Sequence, residues 1–157
     1  MAIVILSSSK CPLCGEILHD EGDLLLFPPL TANTMDPLHF FSDAAVHTTC
    51  LEKHPLGSQA RHYTDKASKA SAPENRICHI TGEPITNVDD YISFGLLTSN
   101  ANEPLHRFNF LRMDRNSLSR WADRLIFIEV ASAFLKERKW NDYRGTKVLQ
   151  DLIDEVR

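Results

Sequence analysis

No stretch of the chain's 157 residues approaches the roughly 18 consecutive apolar residues of a membrane-crossing helix, so no membrane association through such a helix is expected. A basic excess is also lacking: 17 Lys and Arg stand against 21 Asp and Glu, a formal charge of −4. General nucleic-acid binders carry the opposite balance. An acidic chain suits encounters with other proteins, although net charge carries no information about fold. The start, Met1-Ala-Ile-Val-Ile-Leu6, lacks the basic residues and longer apolar run of a signal peptide, and a cytoplasmic location is expected. Cysteine is sparse, with four in all. In a reducing compartment such thiols read as metal ligands or redox groups before they read as disulfides. There is no Ser-His-Asp constellation, phosphate loop or open metal pattern, so no enzymatic activity is expected. Asp89-Asp90 would point to opposite faces of a strand and read as a turn. A hydrophobic fraction of 43% and a charged fraction of 24% are those of an ordinary folded domain.

What is present is an internal repeat. Cys-Pro-Leu-Cys-Gly-Glu at Cys11–Glu16 aligns with Cys-His-Ile-Thr-Gly-Glu at Cys78–Glu83, and the match continues without a gap for about forty residues. Asp23 falls on Asp90, Phe27 on Phe94, Leu30-Thr31 on Leu97-Thr98 and Asn33 on Asn100. Pro37-Leu38-His39 falls on Pro104-Leu105-His106, Phe41 on Phe108 and Leu51 on Leu118, always 67 positions apart. The repeat divides the chain into a unit over 1–55, a linker over 56–76 rich in Gly, Ser and Pro, and a second unit over 77–157. Each unit is expected to hold a hairpin, 24–27 with 38–41 and 91–94 with 105–110. A helix should follow each: a short one over 43–53, stopped by Pro55, and a long one over 114–139. The stretch 125–135 is apolar almost all round, which predicts burial in a core or against a partner. A final amphipathic helix is expected over 146–156.

Cys11-x2-Cys14 and His47-x2-Cys50 supply three thiolates and one imidazole, a complete tetrahedral set for one structural zinc ion. Gly15 can take the positive φ that closes a turn between the first pair, and three-residue spacing puts His47 and Cys50 on one face of a helical turn. This arrangement resembles the treble-clef zinc fingers, over residues 11 to about 54, with a ligand-poor echo from 78 to about 121. The resemblance implies a zinc knuckle, a β-hairpin and a helix whose first turn gives the second ligand pair. It implies little about function, since the class hosts many. The pattern is less similar to a LIM domain, because no further cysteine pair follows Cys50. A rival resemblance is to glutaredoxins, through Ile3-Val-Ile-Leu6 running into Cys11-Pro-Leu-Cys14, with a thiolate held at a helix start. Gly15 and the broken, polar run 19–23 argue against that helix.

In the second unit the ligand positions hold Cys78, Thr81, Asp114 and Ser117, too poor a set for zinc. Cys78 reads as a small buried hydrophobe, with a second metal site using His79 or His106 as the alternative. His39 and His106 match across the units and read as hydrogen-bonding residues within the hairpins, and His19, His54 and His62 as surface residues. Arg107, Arg112, Arg115, Arg120 and Arg124 gather near the second helix start. They read as a solvated face or as contacts to an acidic protein surface or a phosphate.

The expected fold is therefore α+β: two tandem treble-clef-like units, one zinc-bound and one degenerate, with a helical C-terminal part. The expected function is a non-enzymatic protein-binding module, an inhibitor or immunity-type protein that blocks a partner being one form of it. The alternatives are a nucleic-acid-binding regulator using the arginine cluster and, more distantly, a glutaredoxin-like oxidoreductase.

Overall fold

Two short antiparallel ladders organise the chain. A computed structural model describes residues 4–19 and 21–157. Strand β1 (Leu24–Leu26) pairs with β2 (Ala45–His47) in the register Leu24↔His47, Leu25↔Val46, Leu26↔Ala45. Strand β3 (Tyr91–Ser93) pairs with β4 (Arg112–Asp114) in the register Tyr91↔Asp114, Ile92↔Met113, Ser93↔Arg112. Every residue of the second ladder lies 67 positions after its counterpart in the first.

These ladders differ from the expected hairpins. The segments 38–41 and 105–110 do not supply their second strands. Instead Pro37–Phe41 and Pro104–Phe108 form 3-10 turns. Proline at the start presets φ, and Asp36 accepts a bond from the Leu38 amide at 2.9 Å. Leu38 and Phe41 are both buried, as are Leu105 and Phe108. A spacing of three brings both side chains to one side of a 3-10 turn, where a strand would have separated them.

The correspondence reaches the hydrogen bonds. Cys11 N donates to Glu16 O and Cys78 N to Glu83 O, each at 2.8 Å. Phe27 N donates to Ala44 O at 2.8 Å and Phe94 N to Leu111 O at 3.0 Å. Where the side chains differ, the role survives: Ser42 Oγ accepts from the amides of Leu30 and Thr31, and Asn109 Oδ1 from those of Leu97 and Thr98.

The segment 56–76 is not a loose linker. It carries α2 (Gly57–Ser71), which buries Ala60 and Tyr63. Its counterpart 67 positions on is α3 (Arg124–Lys136). The Gly, Ser and Pro residues that suggested a linker lie mainly at the ends of α2, and its interior includes Gln59, Ala60, Arg61, Lys66 and Ala67, all good helix formers. Gly57 has its own reason: a Cβ there would lie 1.9 Å from the Leu51 carbonyl oxygen.

Helix α1 spans only Thr48–Lys53, since residues 45–47 are taken by β2. The long helix expected over 114–139 is broken into a 3-10 segment, Arg115–Arg120, and α3. Helix α3 buries Phe127, Ala131 and Phe134 on one stripe but leaves Leu125 76% exposed and Ile126 44% exposed, so it is not covered all round. Helix α4 (Val148–Glu155) buries Leu149 and Ile153 against α3.

One core forms around Phe27, Leu38, Phe41, Val46 and Leu51, the other around Phe94, Phe108, Trp121, Phe127 and Leu149. Burying each such side chain contributes about 1.5–3 kcal/mol. The halves interlock: Leu96 joins the first core, and Asp36 accepts from Ser99 N at 2.6 Å and Ser99 Oγ at 2.8 Å. Asn33 Oδ1 accepts from Asn141 N at 3.1 Å. No helix among the described residues is long and apolar enough to cross a membrane.

Candidate metal centre

The first pair of ligands sits in a tight turn. Gly15 N donates to Cys11 O at 2.8 Å, and Gly15 takes φ +78°, a conformation open to glycine without a Cβ penalty. The second pair comes from the junction of β2 and α1, where His47 ends the strand and occupies the position just before the helix, and Cys50 lies in the helix's first turn. The β1–β2 ladder carries His47 towards the turn.

The donor atoms of Cys11, Cys14, His47 and Cys50 all lie within 4.8 Å of one another. His47 Nδ1 is 3.5 Å from Cys14 Sγ and 3.8 Å from Cys50 Sγ. Cys11 is buried, His47 and Cys50 are half-buried, and Cys14 is exposed. Three sulfurs and one nitrogen thus face a common centre and could hold one metal ion. Burial would push the Cys11 thiol up, but the amides of His47, Leu13 and Cys14 point at its sulfur and outweigh it, bringing it down to about 7. The Cys50 thiol is pushed up to about 11 by desolvation and by the neighbouring Cys14 and Cys11 sulfurs.

The second unit repeats this backbone without the ligands. Asp114 N donates to Cys78 Sγ at 3.4 Å. The Cys78 thiol is lowered because the amides of Asp114, Thr81 and Ile80 outweigh its burial. Cys78 is buried but is not merely a hydrophobe, since its sulfur is a hydrogen-bond acceptor. Asp114 Oδ1 caps the following segment through Asn116 N at 2.8 Å, and Thr81 Oγ1 accepts from Glu83 N at 3.2 Å. Among the described residues, the first cluster is the only group of three or more His, Cys, Asp or Glu whose donor atoms converge in this way. The alternative site through His79 or His106 is therefore not formed. His106 Nε2 instead meets Tyr63 OH at 2.8 Å, tying the second unit to α2. His39 Nδ1 lies 3.2 Å from Thr31 O within its own unit, while its ring packs against Tyr143 of the second at 5.3 Å between centroids. His54 is half-buried against Phe40 and Phe41, not a plain surface residue.

Four of the five clustered arginines are engaged within the chain. Arg107 pairs with Asp123 at 3.1 Å, and Arg115 with Glu155. Arg124 Nε donates to Val156 O, and Arg112 Nη1 to Ala70 O at 3.5 Å. Arg120 is exposed. Two cations that sequence reasoning missed, Lys66 and Lys69, lie on α2 and line a cleft with Arg112. No apolar stripe signalled them, since α2 buries only Gly57, Ala60 and Tyr63.

The strand expected from Ile3 begins outside the described residues. Val4 and Ile5 form no strand, and residues 12–19 after Cys11 form no helix. No protein family matches this sequence, and neither the curated proteins nor the solved structures include a significant match to it.

Proposed function

We propose that the chain is a non-enzymatic, zinc-stabilised protein-binding module built of two tandem treble-clef-like units, the second having lost its metal. The observation that carries the zinc assignment is the donor geometry. Zinc bound to sulfur at about 2.3 Å and to nitrogen at about 2.0–2.1 Å, at tetrahedral angles, sets sulfur and nitrogen about 3.6 Å apart. The separations of 3.5 and 3.8 Å from His47 Nδ1 match that. Four protein ligands leave no position for water or substrate, so the ion would be structural and not catalytic. The shared 67-residue register of strands, turns and backbone hydrogen bonds supports descent by duplication.

A protein partner is favoured because three of the five clustered arginines, Arg107, Arg115 and Arg124, are held by partners within the chain and do not form a free basic track. An inhibitor that blocks another protein fits this reading. The test is duplex DNA binding by the zinc-loaded protein. Little affinity at physiological salt is expected. Tight binding that weakens steeply with salt would mark phosphate contacts and replace this reading with the nucleic-acid regulator.

A further inference from the structure

The fold places Arg112, on β4, beside two lysines near the end of α2. We propose that the cleft they form binds a phosphate monoester with a planar, apolar body. The cleft measures about 460 Å³ and is lined by Lys66, Lys69, Asn75, Phe110 and Arg112, with no Asp or Glu in its wall. Among the described residues none of the three cations has a carboxylate partner within salt-bridge distance. Arg112 is underused as a donor: Nη1 makes one long bond to Ala70 O at 3.5 Å, and Nε is buried with no acceptor. The Lys66 ammonium sits 5.6 Å from the centre of the Tyr63 ring.

Cations near a helix C-terminus offset its dipole, but that dipole is worth only about half an elementary charge. Three unit charges exceed it several-fold. The surplus occurs in a chain of net charge −4, so it does not follow from overall composition. A phosphate monoester carries about −1.5 to −2 at neutral pH, which matches the surplus, and the guanidinium fork suits its oxygens.

The body of the ligand follows from the next hollow. A space of about 310 Å³ shares Ala70 and Phe110 with the charged cleft and is walled by Pro29, Leu96 and Phe110. Phe110 stacks on Tyr63 at 6.2 Å and 25°, and so stands as a fixed aromatic plate between the charged and apolar spaces. A planar group against Phe110 leaves its phosphate within reach of Lys66, Lys69 and Arg112. Nucleic acid would need a continuing track of cations, whereas Arg107, Arg115 and Arg124 are held by Asp123, Glu155 and the Val156 carbonyl.

The test is an NMR titration of the metal-loaded chain with phenyl phosphate, adenosine monophosphate and phenol. Saturable shifts centred on Phe110, Ala70 and Arg112 are expected with both esters, and none with phenol at the same concentrations. Lys66→Glu with Lys69→Glu changes two exposed side chains and should weaken ester binding by about tenfold or more with the protein spectrum retained. Three results overturn the proposal: no saturable shift with either ester, ester binding unchanged in the double variant, or duplex DNA binding at these residues more tightly than either ester and with steep salt dependence.

Discussion

The backbone amide of Asp114 points at the sulfur of Cys78 from 3.4 Å, and the amide of His47, 67 positions earlier, points at the sulfur of Cys11. The surrounding amides correspond as well: Leu13 and Cys14 for Cys11, Ile80 and Thr81 for Cys78. Two cysteines thus occupy equivalent sulfur-holding turns. Only Cys11 has three further potential metal donors beside it.

That equivalence predicts that the second site can be rebuilt. Thr81→Cys, Asp114→His and Ser117→Cys together would restore the ligand set around Cys78. Metal sites tolerate ligand errors of only about 0.2 Å, so zinc per chain should rise from one towards two only if the turns truly correspond. Cobalt substitution should add thiolate charge-transfer absorption. The obstacle lies at Ser117, which sits in a 3-10 segment where Cys50 sits in an α-helix. A folded triple variant holding a single ion would refute the shared geometry.

Removing the first metal should have a large effect. Cys14→Ser or Cys50→Ser should lose both bound zinc and the cooperative unfolding transition. Zinc-finger peptides gain about 10–16 kcal/mol of apparent binding energy, at or above the about 5–15 kcal/mol that holds a typical domain folded. Elemental analysis and thermal melting of each variant check this, and an unchanged melt would rule out a structural role for the ion.

Metal affinity should depend on pH with a definite sign. Zinc binds thiolates and displaces their protons. In the metal-free site Cys11 ionises at about 7 and Cys50 at about 11. Between those values a rise in pH leaves fewer protons to displace, so affinity rises. Below about 7 the Cys11 proton must be displaced too, and affinity falls more steeply. Competition against a chromophoric chelator across this range measures the slope, and a flat profile contradicts the assignment of these thiols as ligands.

Gly57→Ala should destabilise the fold by about 1–3 kcal/mol, the usual cost of overpacking. The added carbon would meet the Leu51 carbonyl 1.9 Å away, and backbone cannot swing aside as a side chain can. Urea denaturation measures the loss. Ser58→Ala, one residue on and exposed, should change stability little.

The candidate metal cluster and the 67-residue correspondence were legible in the sequence because each is a matter of residue type at fixed spacing. Cys11, Cys14, His47 and Cys50 converge through local turns and one short ladder, which need little from the rest of the chain. Strand choice was not legible. Leu38–Phe41 is more apolar than Ala45–His47, yet proline and the Asp36 cap curl the former into a 3-10 turn, leaving the latter to pair with β1. Helix α2 was hidden for a related reason. Its buried face consists of only Gly57, Ala60 and Tyr63, too little apolar content to register as a helix stripe. Tertiary structure decided it, because Leu51 requires a close approach at Gly57 and His106 gives the Tyr63 hydroxyl a partner 43 residues away. The joining of Arg112 with Lys66 and Lys69 is likewise a tertiary fact, since a helix and a strand distant in sequence share one cleft only once both cores have packed.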